Sequence, residues 1–185
     1  MKSLSLSQPH AIVMVGIPGS GKTFFAEKFA ETFKSPYVSY DILRSFVSDE
    51  KFIPKLAERQ LKELYKTNYS IVIDGFAQSR NERTELMKKL RQHGYEALFV
   101  WVQTDPDTAQ ARALKQSRLS KDEYTKHMKR FSPPHVTEKA VVISGKHTYA
   151  TQVKSVLKRL SGPRADISSH SIPPARSLRD VRRPR

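Results

Sequence analysis

Five short apolar runs divide this chain: Ala11-Ile12-Val13-Met14-Val15, Tyr37-Val38-Ser39, Ile71-Val72-Ile73, Ala97-Leu98-Phe99-Val100-Trp101-Val102 and Ala140-Val141-Val142-Ile143. They are rich in β-branched and aromatic residues and shorter than typical helices, so they read as strands. Between them, apolar residues recur every three or four positions. Phe25, Phe29 and Phe33 form one stripe within 23–33, and Leu56, Leu61, Leu64 and Tyr65 form another within 52–66. Leu86 and Leu90 mark a helix over 79–93 that stops at Gly94; Val153, Val156, Leu157 and Leu160 mark one over 148–160. Two more helices are predicted, over about 106–120 and 121–130, the second ending at Phe131-Ser132-Pro133-Pro134. Strands alternating with helices predict an α/β protein: an open parallel sheet with helices on both faces.

The link from the first strand to the first helix carries the strongest chemistry. Gly16-Ile17-Pro18-Gly19-Ser20-Gly21-Lys22-Thr23 has the spacing G-x-x-x-x-G-K-T, a phosphate-binding P-loop in strand–loop–helix context. The glycines let successive backbone N–H groups turn onto phosphate oxygens, and the following helix aims its positive end at the same anion. Lys22 is expected to reach the β- and γ-phosphates, and the Thr23 hydroxyl to ligate Mg²⁺. The loop and Phe24 after it are the expected nucleotide-contacting stretch.

Two acids follow strands. Asp41 and Arg44 are three apart after Tyr37–Ser39, where α/β sheets place ligand chemistry, with Ile42, Phe46 and Leu43 expected to face the core. The pair is either part of a site or a local ion pair or helix cap. Asp74, closing Ile71-Val72-Ile73-Asp74-Gly75, has the Walker B pattern, a buried strand delivering a carboxylate to a magnesium site; Asp-Gly alone would also suit a turn. Arg80 and Arg83 either look toward that site or are surface charges. The residues Lys55, Arg59, Lys62 and Lys66 give the 52–66 helix a basic side. Arg112, Lys115 and Arg118 fall within the 106–130 pair, which reads as a flap with a basic lining. His147 reads as a loop residue.

Composition narrows the picture. The 185 residues are 38% hydrophobic, enough for one domain with a core. A net charge of +15 favours an anionic partner such as nucleic acid or nucleotide. The absence of cysteine excludes disulfides, a thiol nucleophile and cysteine-based zinc sites. No signal-peptide pattern or membrane-length apolar run is found, so a soluble, cytoplasmic protein is expected. The expected organisation is a loose stretch over 1–10, a folded domain over 11–162, and a tail over 163–185. That tail, rich in Pro, Ser and Arg, is too polar to fold alone and is either a basic binding arm or an inert extension.

Gly16–Thr23, Ser39-Tyr40-Asp41-Ile42-Leu43-Arg44, Ile71–Gly75 and Arg130-Phe131-Ser132-Pro133-Pro134 together resemble the P-loop kinase superfamily, specifically its AAA-domain kinase branch of polynucleotide-kinase and zeta-toxin-like proteins. The resemblance spans about residues 10–160. It implies a three-layer P-loop NTPase fold, a five-stranded parallel sheet ordered 2-3-1-4-5, and an Arg-bearing helical lid over ATP. It implies that Asp41 is the general base toward an acceptor hydroxyl and that Arg44 holds an acceptor phosphate or the γ-phosphate. Arg118 and Arg130 fall where lid arginines are expected, with Arg112 a neighbouring nucleotide contact, and Ser144–His147 would lie near adenine. Asp41-Ile42-Leu43-Arg44 and Asp74-Gly75-Phe76 also resemble the corresponding pieces of adenylate kinases, but Ala77-Gln78-Ser79-Arg80 and Gln116 depart from their pattern. The expectation is therefore an ATP- and Mg²⁺-dependent kinase acting on a hydroxyl of a polynucleotide or nucleotide-like acceptor. The alternatives are a small-molecule acceptor, such as a sugar nucleotide or antibiotic, and a nucleotide-dependent switch or nucleic-acid-binding ATPase.

Overall fold

A computed structural model describes residues 8–116 and 119–161. The tail over 163–185, residues 1–7 of the stretch over 1–10 expected to be loose, and Arg118 lie outside the described residues. The strands are β1 (His10–Val15), β2 (Tyr37–Ser39), β3 (Ile71–Asp74), β4 (Glu96–Gln103) and β5 (Val141–Ser144). The α-helices are α1 (Lys22–Phe33), α2 (Tyr40–Arg44), α3 (Ile53–Tyr65), α4 (Arg80–Gln92), α5 (Pro106–Gln116), α6 (Lys121–Arg130) and α7 (Tyr149–Leu160). All strand pairs are parallel, in the order β2-β3-β1-β4-β5.

β1 is central because it is apolar on both faces, and a parallel strand has no solvent side. Its alternate residues serve two cores. Ala11, Val13 and Val15 meet Leu43, Ile53, Ala57, Leu61, Leu86 and Leu90 on the face covered by α2, α3 and α4. Ile12 and Met14 meet Phe25, Phe29 and Val156 on the face covered by α1 and α7. The Phe25–Phe29–Phe33 stripe packs as the periodicity predicts, with ring centroids 5.6 Å and 4.5 Å apart. α4 begins in a capping box: the Ser79 hydroxyl accepts from the Glu82 amide while Glu82 accepts from the Ser79 amide.

Two expectations are corrected. Of Ile42, Leu43 and Phe46, only Leu43 is buried in the core; Ile42 is 45% and Phe46 72% exposed. Pairing of β2 with β3 fixes the direction of the five-residue α2, and one helical turn buries only one such position. Arg83 is neither surface charge nor cavity wall: it is fully buried. Its guanidinium donates to the carbonyls of Ala77, Gln78, Ser132 and Pro133 and to both oxygens of Glu138, so every face of the charge is answered. This clamp ties the chain after α6 to the start of α4. Arg80 is exposed, and its amide donates to the Ser132 hydroxyl.

Phe29→Ala should cost about 3–5 kcal/mol through cavity formation, read as a lower urea midpoint with an unchanged slope. A second expectation concerns acid. Burial raises the carboxyls of Glu82 and Glu138, but hydrogen bonds outweigh it: the Ser79 and Gln78 amides and Arg130 on Glu82, Arg83 and the His135 amide on Glu138. Both groups therefore titrate below their ordinary 4.5 in the folded state. Their stabilisation is complete above that value and is lost as pH falls through the folded values. Melting temperature should drop in that window, and Glu138→Gln should flatten the drop.

Candidate active site

The P-loop leaves β1 at the carboxyl ends of the strands, the usual ligand edge of such sheets. Gly19 (φ 77°) and Gly21 (φ 98°) adopt left-handed backbone that other residues resist. Gly19 also lies against the Ala109 carbonyl of α5, so a side chain there would push that helix off the loop. Gly21 then caps α1.

A cavity of about 720 Å³ opens over the loop. Pro18, Gly19, Gly21, Lys22, Thr23 and Phe24 form its floor. Phe24 is exposed, with Lys28 Nζ 5.7 Å from its ring centroid. Two wings rise on either side, as the sheet order dictates. The β2/β3 wing contributes Ser39, Tyr40, Asp41, Arg44, Asp74, Gly75 and Gln78. The β4/β5 wing contributes Arg112, Gly145, His147 and Gln152, and α6 roofs the cavity with His127 and Arg130.

The predicted residues thus converge. Lys22, Thr23, Phe24, Asp41, Arg44, Asp74, Arg112 and Arg130 all line the one cavity. Gly16 and Ser20 belong to the loop, with Ser20 fully buried. Ile17 is turned away and borders a second cavity of about 580 Å³ with Trp101, Met128 and Phe131. The arginines are held: Arg44 Nε is 2.8 Å from Glu50 Oε1, Arg130 Nη2 is 2.9 Å from Glu82 Oε1, and Arg112 Nη1 donates to the Gly145 carbonyl at 3.4 Å.

Thr23 Oγ1 donates to Asp74 Oδ2 at 2.7 Å, and the Tyr37 hydroxyl donates to the same oxygen at 3.4 Å. Burial, then the negative charge of Asp74, holds the Tyr37 phenol far above its ordinary range, so it remains a donor. Asp74 Oδ1 is buried without a partner. Four buried side-chain polar atoms lack a partner among the described residues, and three belong to this region: Ser20 Oγ in the loop, Asp74 Oδ1 and Gln152 Oε1. A hydroxyl, one carboxylate and free oxygen capacity beside a phosphate loop suit Mg²⁺, which keeps waters and phosphate ligands instead of an all-protein cage. Among the described residues no group of three or more His, Cys, Asp or Glu is placed to hold a metal ion.

Sequence reasoning missed Gln78, His127 and Gln152. Gln78 and His127 are 3.4 Å apart and bridge the β3–α4 loop to the roof. Burial lowers the His127 pKa, and Lys22 and Arg130 lower it further against Asp41 and Glu123. No spacing marks this histidine, but Gln152 shares a stripe with Val156 and Leu160, which foretells burial.

Sheet order, phosphate loop and helical roof define a P-loop kinase fold. The chain belongs to the AAA domain family, whose model matches residues 12–134. No curated protein sequence matches it. Among solved structures it is similar to an unliganded sugar kinase from Janibacter sp. HTCC2649, at 17% identity and a TM-score of 0.61 over 81% of this chain and 93% of that one. It is likewise similar to a gluconokinase from Sinorhizobium meliloti 1021, at 19% identity and TM-score 0.58 over 82% and 91%. A third likeness is to a chain of the Pnkp1/Rnl/Hen1 RNA repair complex, at 21% identity and TM-score 0.58, covering 70% of this chain and 46% of that one. No described helix is long and apolar enough to cross a membrane.

Asp74→Asn should weaken ATP binding about tenfold or more in Mg²⁺ and leave it unchanged in EDTA. Calorimetry under both conditions checks this; equal losses in both would remove Asp74 from metal binding.

Proposed function

We propose that this chain is an ATP- and Mg²⁺-dependent kinase that moves the γ-phosphoryl group to a hydroxyl of a polynucleotide or nucleotide-like acceptor. One observation carries the reading. Asp41 and Arg44 stand in the same cavity as Lys22, Thr23 and Asp74, but on the β2/β3 side, where an acceptor can meet the end of a polyphosphate held on the loop. P-loop amides and Lys22 bind the phosphates. Thr23 and Asp74 hold Mg²⁺, which supplies charge neutralisation on the phosphate oxygens when bound.

Asp41 accepts the proton of the acceptor hydroxyl. That oxygen bonds to the γ-phosphorus as the bond from phosphorus to the β–γ bridging oxygen breaks, releasing ADP. Arg44 and Arg130 neutralise charge on the transferring group, with Arg118 as the further lid arginine and Arg112 on the nucleotide side. Both Arg44 and Arg130 are exposed and paired with carboxylates, so an arriving phosphate competes for guanidinium groups already near their posts. The acceptor class is supported by the net charge of +15, which favours an anionic partner.

A sugar or other small polyol is the second reading, favoured by the likeness of the whole fold to a sugar kinase and a gluconokinase. Incubation with γ-labelled ATP and a panel of oligonucleotides, nucleosides and sugars separates the two by where the label goes. Asp41→Asn should reduce transfer by about 10²–10⁴-fold, the span of general base catalysis, while ATP affinity holds. Undiminished transfer would remove Asp41 from the mechanism. Label released only to water by the unaltered chain would favour a nucleotide-dependent ATPase instead.

A further inference from the structure

The two wings are chemically unequal. On the β2/β3 side stand the carboxylate and arginine suited to an acceptor. On the β4/β5 side the lining is Arg112, Gly145, His147 and Gln152. A nucleotide with its phosphates on the loop between them, and its γ-phosphate toward Asp41, must run its base toward the second wing. The inference below rests on that nucleotide-binding reading.

Gln152 sits in the first turn of α7 and is only 4% exposed. Its amide is not free to turn over. Nε2 donates to the Ser144 carbonyl at 2.8 Å, which leaves Oε1 as the remaining end, and Oε1 is buried without a partner. A buried carbonyl oxygen of this kind is destabilising until a donor reaches it. The neighbouring cations do not answer it: Arg112 is directed to the Gly145 carbonyl and Lys146 to Asp105 Oδ2 at 2.9 Å. Gly145 is the residue that lets the wing sit this close, since a side chain there would strike the Ser20 carbonyl and the Thr104 hydroxyl.

Of the groups a purine base turns outward, the 6-amino group of adenine is a donor. The 6-oxo group of guanine or hypoxanthine would set one lone pair against another. We propose that Gln152 accepts a hydrogen bond from the 6-amino group of adenine and so makes the site prefer ATP over 6-oxo purine nucleotides. The Ser144 tether acts as the ruler that holds the acceptor end in place.

The test measures affinities of the full chain for ATP, ITP and 2′-deoxy-ATP by calorimetry, for the unaltered protein and for Gln152→Met, which keeps the volume and removes both amide atoms. Loss of the Nε2 tether shifts the loop for every nucleotide alike, so the ATP-to-ITP ratio isolates the role of Oε1. The unaltered chain should prefer ATP by about tenfold or more, and Gln152→Met should collapse the ratio to about twofold by weakening ATP far more than ITP. An unchanged ratio in the variant, or no preference in the unaltered chain, overturns the inference and assigns the orphan oxygen to a buried water. A change confined to ATP against 2′-deoxy-ATP also overturns it, since the ribose would then be the donor. Failure of the unaltered chain to bind any of the three would instead bring down the nucleotide reading itself.

Discussion

The hydrogen bond between Thr23 and Asp74 joins two parts of the chain that local structure cannot bring together. It exists because β1 and β3 are parallel neighbours in register, so both end at the same edge of the sheet. One strand hands over to the phosphate loop there, and the other ends in a carboxylate. Everything else about the cavity follows from this edge: Asp41 arrives from β2 beyond β3, and Gln152 and Arg112 arrive from the opposite flank. The sheet order therefore sorts the lining by side, Asp41 and Arg44 to one wing and Arg112 and Gln152 to the other.

The roof is fixed by a different device. Arg83 has no solvent and no cavity contact, yet its carbonyl partners lie on both the Ala77–Gln78 loop and the Ser132–Pro133 segment that follows α6. A buried guanidinium demands all of these partners, because leaving one out strands a charge in a low-dielectric interior. The position of Arg130 and His127 over Lys22 is thus set from behind, by a residue that never meets ligand. Gln78 is part of the same arrangement, offering its backbone to Arg83 and Ser132 and its side chain to His127.

The strands, their alternation with helices, the loop and Asp74 were legible in the sequence because parallel strands read as unbroken apolar runs and the loop has a fixed spacing. The strand order came from resemblance, and the fold bears it out, whereas Asp41 and Arg44 were marked as site candidates by their place after a strand at the ligand edge. Ile42 and Phe46 were misread because a five-residue helix is too short for periodicity to identify its face. Arg83 did carry a signal: it shares the stripe of Leu86 and Leu90, and a charge on a core stripe implies a buried partner. That partner, Glu138, is far along the chain and nothing local names it. His127 and Gln78 had no pattern, since their meaning arises only when α6 folds over the β3–α4 loop.

The same parallel register has a bearing on how the molecule is made. β1 has no ladder partner close to it in the chain: Ala11 waits for Ile71, and His10 for Glu96. Loop closure must therefore come before any sheet hydrogen bond rewards it, which places this topology among slower folders. As the chain emerges from synthesis, the phosphate loop is complete long before its carboxylate and its two wings exist. Nucleotide can stabilise only late folding species, and the early ones carry a bare apolar strand in need of shelter.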